Sequence, residues 1–334
     1  MRRHLLPLVA LVLVACSTGV SATPDAADEG GVDAATPDAP SDVADAGADT
    51  GTDAGDAAAD ATDAADAADA ADAAADASDA GDAAVRTSTG GSGGVTCSST
   101  GTLASGRTYC EGALGGSQFR LELPPAPAGP LRLVAFIHGD GAASYLDNST
   151  MEALIPWADA HGAAVLTVKS PNACAWWQHP TQTDCTPTAP FMPDLDGLNA
   201  DSLRAVLDGV RAGYDVTLGP AFYYGASGGS VFLTRSFLRR FGDRYPGYYA
   251  LNCGGEKSPK PFEWDVANPA KRGPTRLYFT YGDLDFLRPD IEVAIPYFGG
   301  LGFPTDAVML AATEHCAFDT DARAQAVFSA ALGE

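Results

Sequence analysis

The chain has 334 residues, 43 acidic against 20 basic side chains, a formal net charge of −23 and seven cysteines. That length admits one large domain with accessory segments, and the acidic balance excludes a surface built to grip nucleic acid. No Cys-x-x-Cys pair, paired-histidine spacing or Gly-x-x-x-x-Gly-Lys loop is present, so no metal or cofactor is expected.

The N-terminus reads Arg2-Arg3, then an apolar run from Leu5 to Val14 that ends in Leu13-Val14-Ala15-Cys16. About ten apolar residues suit the core of an export signal and fall short of the roughly twenty that span a membrane. Leu-Val-Ala-Cys resembles the lipobox of bacterial lipoproteins. The resemblance implies a signal peptide over 1–15 and lipidation of Cys16, which ties the protein to a membrane through several acyl chains. Ser17 after that cysteine resembles the outer-membrane sorting pattern, so the expected location is the bacterial cell envelope, exported and lipid-anchored.

Residues 16–95 are expected to be a disordered linker. Ser17 to Val95 holds 18 acidic residues and one basic residue, no aromatic residue, and a repeating Asp-Ala-Ala unit between Asp60 and Asp76. Such a segment has nothing with which to build a core, and aspartates at three- and four-residue spacing repel one another on a helix. Most of the net charge therefore belongs to the tether. Calcium binding by the repeat lacks a glycine-turn ligand loop.

Residues 96–334 form the expected catalytic domain, large enough to bury roughly 70–75% of its unfolded surface and expected to be monomeric. Its six cysteines are an even number in an exported chain, so disulfides are the default. Pairing by locality gives Cys97 with Cys110 and Cys174 with Cys185, which leaves Cys253 for Cys316, both of them following predicted strands at the carboxyl edge.

In chain order, Leu131 to Ile137 and Ala163 to Val168 are near-continuous apolar runs, as strands buried on both faces should be. A helix is predicted between them over Met151 to Ala160, ending at His161-Gly162. A second helix spans Asn199 to Val210, with Leu203, Val206, Leu207 and Val210 on its buried side. Ala221 to Tyr224 is the next strand, and Ser230 to Phe241 the next helix. On that helix Val231, Thr234, Phe237, Leu238 and Phe241 share a face that leaves out Arg235, Arg239 and Arg240. Strands are predicted at Tyr248 to Asn252, Arg276 to Tyr281 and Ala307 to Ala311. A final helix covers Asp321 to Leu332, capped near Asp319. Alternating strand and helix argues for an α/β fold: a mostly parallel, doubly wound sheet with helices on both faces, whose sites collect at the carboxyl ends of strands.

The polar residues of interest sit at those ends. Gly225-Ala226-Ser227-Gly228-Gly229 joins a predicted strand to a predicted helix, a context in which a serine hydroxyl is lifted above the sheet and flanking glycines avoid Cβ clashes. His138-Gly139-Asp140-Gly141 follows the first strand, Gly282-Asp283-Leu284-Asp285 the fifth, and Thr313-Glu314-His315-Cys316 the sixth. Serine, acid and histidine thus follow in order. Of the five histidines, His4 lies in the signal, His161 ends a helix, His138 braces a loop and His179 lies in a long loop, which leaves His315 as the base.

His-Gly-x-Gly, Gly-x-Ser-x-Gly, Gly-x-x-Asp and a late histidine, spread over residues 130 to 320, resemble the α/β-hydrolase fold. Within it the chain is similar to the extracellular polyhydroxybutyrate depolymerase, feruloyl esterase and acetylxylan esterase group, through the Asp215-Val216 approach to the serine strand and the Cys174 to Trp177 loop. The resemblance implies Ser227 as nucleophile, His315 as base, and oxyanion donors at the backbone N–H groups of Asp140 and Gly228. Its Gly-x-x-Asp places the acid three residues after the glycine, which favours Asp285 over Asp283. His315-Cys316 also resembles tannase-type esterases, but Ala226 stands where that group has a cysteine before the serine.

Pro171 to Pro193 is a long loop able to overhang the serine, and Trp176, Trp177 and His179 are its candidate substrate contacts, although one tryptophan could instead cover the Cys174 to Cys185 loop. Tyr223 and Tyr224 read as core. The Asn148-Ser149-Thr150 sequon is incidental in a bacterial chain. The expected activity is hydrolysis of carboxylic esters, in polyester or in acyl esters of plant polymers, with a serine peptidase and a non-catalytic binding lipoprotein as alternatives.

Overall fold

The computed structural model describes residues 95 and 97–334, apart from 126–128, 173, 187–189, 191 and 218. The signal segment, Cys16 and the acidic linker up to residue 94 lie outside the described residues; Val95, expected to end the linker, is instead buried in the core, where its apolar side chain packs.

Three strands precede the predicted alternation: β1 (Ser99–Thr102), β2 (Thr108–Leu114) and β3 (Ser117–Glu122), an antiparallel meander. The β2–β3 hairpin turns on Gly115 and Gly116, both at positive φ (60° and 87°), as a two-residue turn matched to strand twist requires. The sequence reading missed this meander because its strands are short and partly exposed. Then follow β4 (Arg132–Ile137), α1 (Ser149–His161), β5 (Ala163–Val168), α2 (Leu198–Gly213) and β6 (Ala221–Ala226). Helix α3 runs through Gly228–Phe232, a π-helical turn Leu233–Phe237, and Leu238–Phe241. The chain continues with β7 (Gly247–Asn252), β8 (Arg276–Gly282), α4 (Arg288–Gly300), β9 (Thr305–Leu310) and α5 (Thr320–Leu332). Helix α4 was not predicted: Pro289, Pro296 and Gly299-Gly300 mask a buried stripe of Ile291, Ala294 and Phe298.

The sheet order is β1-β2-β3-β5-β4-β6-β7-β8-β9, parallel from β5 to β9. Successive side chains of a strand face opposite ways, so each central strand feeds two cores. Leu133, Ala135 and Ile137 of β4 join a core with Leu203 and Leu207 of α2, Phe232 and Phe237 of α3, and Ile291 and Phe298 of α4. Val134 and Phe136 join the other, with Leu154 and Trp157 of α1 and Val327 and Phe328 of α5. The sheet is doubly wound as expected, and this is the α/β-hydrolase architecture. Order reverses at β4, whose neighbours β5 and β6 lie on opposite sides, so the loops leaving β4 and β6 open a crevice at the carboxyl edge.

The disulfides are Cys97–Cys110, Cys174–Cys185 and Cys253–Cys316, each with Cα atoms 5.2 Å apart, the expected pairing.

Candidate active site

Strand β6 delivers Ser227 into a positive-φ conformation outside the left-handed helical region, φ 51° and ψ −120°. Such backbone costs of order 1–3 kcal/mol at a residue other than glycine. Its neighbours have no room for side chains: a Cβ on Gly225 would come 2.7 Å from Ser230 N, and one on Gly229 would come 2.1 Å from Ile137 O. The end of β7 holds the turn, with Asn252 O accepting from Ser227 N–H (2.9 Å) and from Ser230 Oγ (3.0 Å).

Ser227 Oγ lies 2.9 Å from His315 Nε2, and His315 Nδ1 lies 2.8 Å from Asp285 Oδ1. Asp285 is buried, and the same oxygen accepts the N–H of Leu287 at 2.8 Å, while Oδ2 has no partner among the described residues. Of the two competing carboxylates it is Asp285 that faces the histidine. Asp283 instead accepts the N–H of Thr313 at 3.1 Å, and the amides of Thr313 and Ala312 hold its carboxyl below the usual carboxylate range. It thereby fastens the loop that carries His315 to the end of β8. Gly282 is needed at that crossing, because a Cβ there would sit 1.9 Å from Thr313 O. On the other side of His315, the Cys253–Cys316 bridge ties the same loop to the end of β7.

The loop after β4 packs on the serine turn, where a Cβ on Gly139 would lie 3.3 Å from Ser227 Cβ. Among the described residues neither the Asp140 N–H nor the Gly228 N–H has an acceptor. His138 is fully buried and braces this loop: Nδ1 donates to Gly139 O (2.6 Å), and Nε2 accepts the N–H of Ser170 (2.9 Å). That bonding requires neutral imidazole, and burial pushes its pKa down to about 4. The Asp140 side chain keeps solvent access, yet nearby protein desolvates its carboxyl and pushes the pKa up, against the downward pulls of the Trp177 hydrogen bond and of His315.

A cavity of about 290 Å³ opens over Ser227. Trp177, Val231, Phe286 and Leu287 make its apolar wall; Asp140, Arg235, Glu256 and Asp290 supply charge. Arg235 Nη1 donates to both Glu256 oxygens, at 2.7 and 2.6 Å. Two of the three expected substrate contacts are not in this lining. Trp176 is fully buried, its ring stacked 4.8 Å from Phe232, because the loop turns only one of two adjacent tryptophans outward. His179 is bonded to Thr181 within its own loop. Sequence reasoning missed Phe286, whose exposed ring lies 4.2 Å from that of His315, and Arg235, which was read only as lying off the apolar helix face. The signal available for Phe286 was its place directly after the acid.

Cys253, His315 and Cys316 group their donor atoms within 4.8 Å, but both sulfurs are consumed in the disulfide, so this is not a thiolate donor set for a metal.

No family model matches the chain, and no curated protein is similar to it. Among solved structures it is similar to a thermostable esterase (18% identity, TM-score 0.42), covering 64% of this chain and about half, 54%, of that one. It is also similar to an esterase of Pyrobaculum calidifontis (16%, 0.45), covering 66% of this chain and 83% of that one. A third is the siderophore hydrolase EstA of Aspergillus nidulans (12%, 0.48), covering 71% and 98%. At these identities and scores the fold assignment rests on strand order and on the strand, serine turn and helix described above.

Proposed function

We propose that this chain is a serine hydrolase that cleaves carboxylic esters, with Ser227 as nucleophile, His315 as general base and acid, and Asp285 as the group that orients His315. The observation that carries the reading is the relay Ser227 Oγ to His315 Nε2 (2.9 Å) and His315 Nδ1 to Asp285 Oδ1 (2.8 Å), at the floor of a cavity beside two backbone amides without acceptors among the described residues. Hydrogen-bonding Nδ1–H to Asp285 leaves the Nε2 lone pair facing the serine hydroxyl, the tautomer that can take its proton as Oγ attacks a carbonyl. The acyl-enzyme forms when the protonated His315 passes its proton to the departing alcohol, and water reverses the sequence. The amides of Asp140 and Gly228 receive the negative charge that grows on the carbonyl oxygen, an effect of about 3–4 kcal/mol per donor in comparable sites.

The substrate class we propose is a polyester or an acyl ester of a plant polymer, with Trp177, and not Trp176, as the aromatic contact. The anchor belongs to the proposal: lipid on Cys16 would hold the domain in the cell envelope at the end of its acidic tether. Labelling by a fluorophosphonate probe, mapped to Ser227, tests the reading against that of a non-catalytic binding protein. A panel of p-nitrophenyl esters, methyl ferulate, acetylated xylan and polyhydroxybutyrate, set beside matched amides, tests it against a peptidase. Absence of both labelling and ester turnover defeats it. Persistent membrane partition of Cys16→Ala defeats the anchor.

A further inference from the structure

Two loops are fastened to each other beside Ser227. Gly141 N–H, in the loop after β4, donates to Cys174 O at 2.6 Å, and Trp177 Nε1–H, in the loop after β5, donates to Asp140 Oδ1 at 2.9 Å. The position of that carboxylate oxygen is unusual. A Cβ built on Gly228 would meet Asp140 Oδ1 at 2.0 Å and Trp177 Nε1 at 2.9 Å, so the oxygen occupies the space that glycine leaves open. It thus packs directly against Gly228, whose N–H is one of the two donors assigned to the oxyanion, and it belongs to the residue that supplies the other. An ionised carboxylate is a stronger acceptor than an ester carbonyl, and its charge opposes a second negative charge forming beside it. The oxyanion hole therefore has a competitor built into its own loop.

We propose that Trp177 is a positioning residue for the oxyanion hole: by taking the Asp140 carboxylate as its hydrogen-bond partner, the indole N–H keeps that carboxylate off the Asp140 and Gly228 amides. The inference rests on the serine-hydrolase reading. It also assigns the Cys174–Cys185 loop a part in the chemistry, since that loop carries the indole.

The test is a double-mutant cycle on p-nitrophenyl acetate with Trp177→Phe and Asp140→Ala. Trp177→Phe keeps a ring and removes the donor, and we expect kcat to fall on the order of 10- to 100-fold, below the ~10²–10³ of losing a donor outright, with KM changed less than about threefold. With the competitor gone, Trp177→Phe in the Asp140→Ala background should cost less than about threefold. A tryptophan that supports the loop by other contacts would give the same loss in both backgrounds, and one that only fastens the loops through this bond would make Asp140→Ala alone lose as much kcat as Trp177→Phe; either result, or full activity of Trp177→Phe alone, overturns the proposal. Should Trp177→Phe fail to fold, 3-benzothienylalanine at position 177 removes the N–H at nearly constant shape and is read against the same two outcomes. Fluorophosphonate labelling of the unaltered chain separates the levels: no labelling and no turnover overturns the hydrolase reading together with this one, whereas a labelled, active enzyme without the coupling overturns this one alone.

Discussion

The two edges of the parallel sheet meet the same geometric demand in different ways. At the amino edge the left-handed positions leading into β5, β8 and β9 are Gly162, Gly273 and Gly302, with φ of 61°, 55° and 89°. At the carboxyl edge the loops leaving β4, β6, β7 and β9 hold every described residue other than glycine at positive φ: Ala142, Asn148, Ser227, Cys253, Ala312 and Cys316. Glycine relieves the strain where the chain only has to turn. Where a hydroxyl, a disulfide or the loops around His315 must be aimed, a side chain stays and the strain is offset by hydrogen bonds and the bridge. The carboxyl edge has positive-φ glycines too, Gly141 and Gly255 among them, but among the described residues the strained positions that keep a side chain stand at that edge alone and mark where the molecule gives up stability for placement.

The largest effect should come from exchanging those roles. Ser227→Ala and His315→Ala are each expected to lower ester turnover on the order of 10⁴- to 10⁶-fold with the fold intact, because the relay acts as one unit. Gly162→Ala, at the amino edge, should leave turnover per folded molecule unchanged and lower the unfolding free energy by about 1–2 kcal/mol in a denaturant titration. Equal stability losses and no activity difference would erase the contrast. Next, Asp285→Asn should reduce kcat on the order of 10⁴-fold through loss of the tautomer-holding partner, while Asp283→Asn should reduce it by about tenfold or less. The reverse ranking in steady-state kinetics would move the acid to Asp283.

A stability effect follows. Cys253–Cys316 closes a separation of 63 residues, so Cys253→Ser should lower the unfolding free energy by about 4 kcal/mol in the chain-entropy view. Turnover should also fall at temperatures where the fold survives, because the bridge holds the backbone next to His315. Unchanged kinetics would confine the bridge to stability.

The smallest effect concerns His138. Its folded-state pKa lies at about 4, below the 6.5 of an exposed histidine, so between those values the unfolded chain binds the extra proton. Stability is therefore lost as pH falls from 6.5 to 4 and the loss levels off below; the span corresponds to about 3 kcal/mol. His138→Gln should show a correspondingly shallower fall over that window. Identical slopes would mean that the loop accommodates the charged ring.

The elements legible in the sequence are those whose local pattern and tertiary role coincide. β4 to β8 are covered on both faces, so apolar runs alone reveal them, and Ser227 is announced by glycines whose missing Cβ atoms the packing demands. β9 was placed two residues late at its start, at Ala307 for Thr305, since it is an edge strand with mostly exposed residues and no apolar run to frame it. The β1–β3 meander and α4 were hidden by short, partly exposed strands and by prolines.

By itself the sequence determined the chemistry available and its order along the chain: serine, acid, histidine, six cysteines in an exported reading, and the strands on whose ends they stand. Tertiary structure decided which of like neighbours is used. Asp285 rather than Asp283 faces His315, Trp177 rather than Trp176 faces the cavity, and Phe286 and Arg235 join its lining. Residues one or two positions apart on a loop share composition and context, and no periodicity fixes their direction. Only the contacts made across the carboxyl edge, by segments distant in sequence, choose between them.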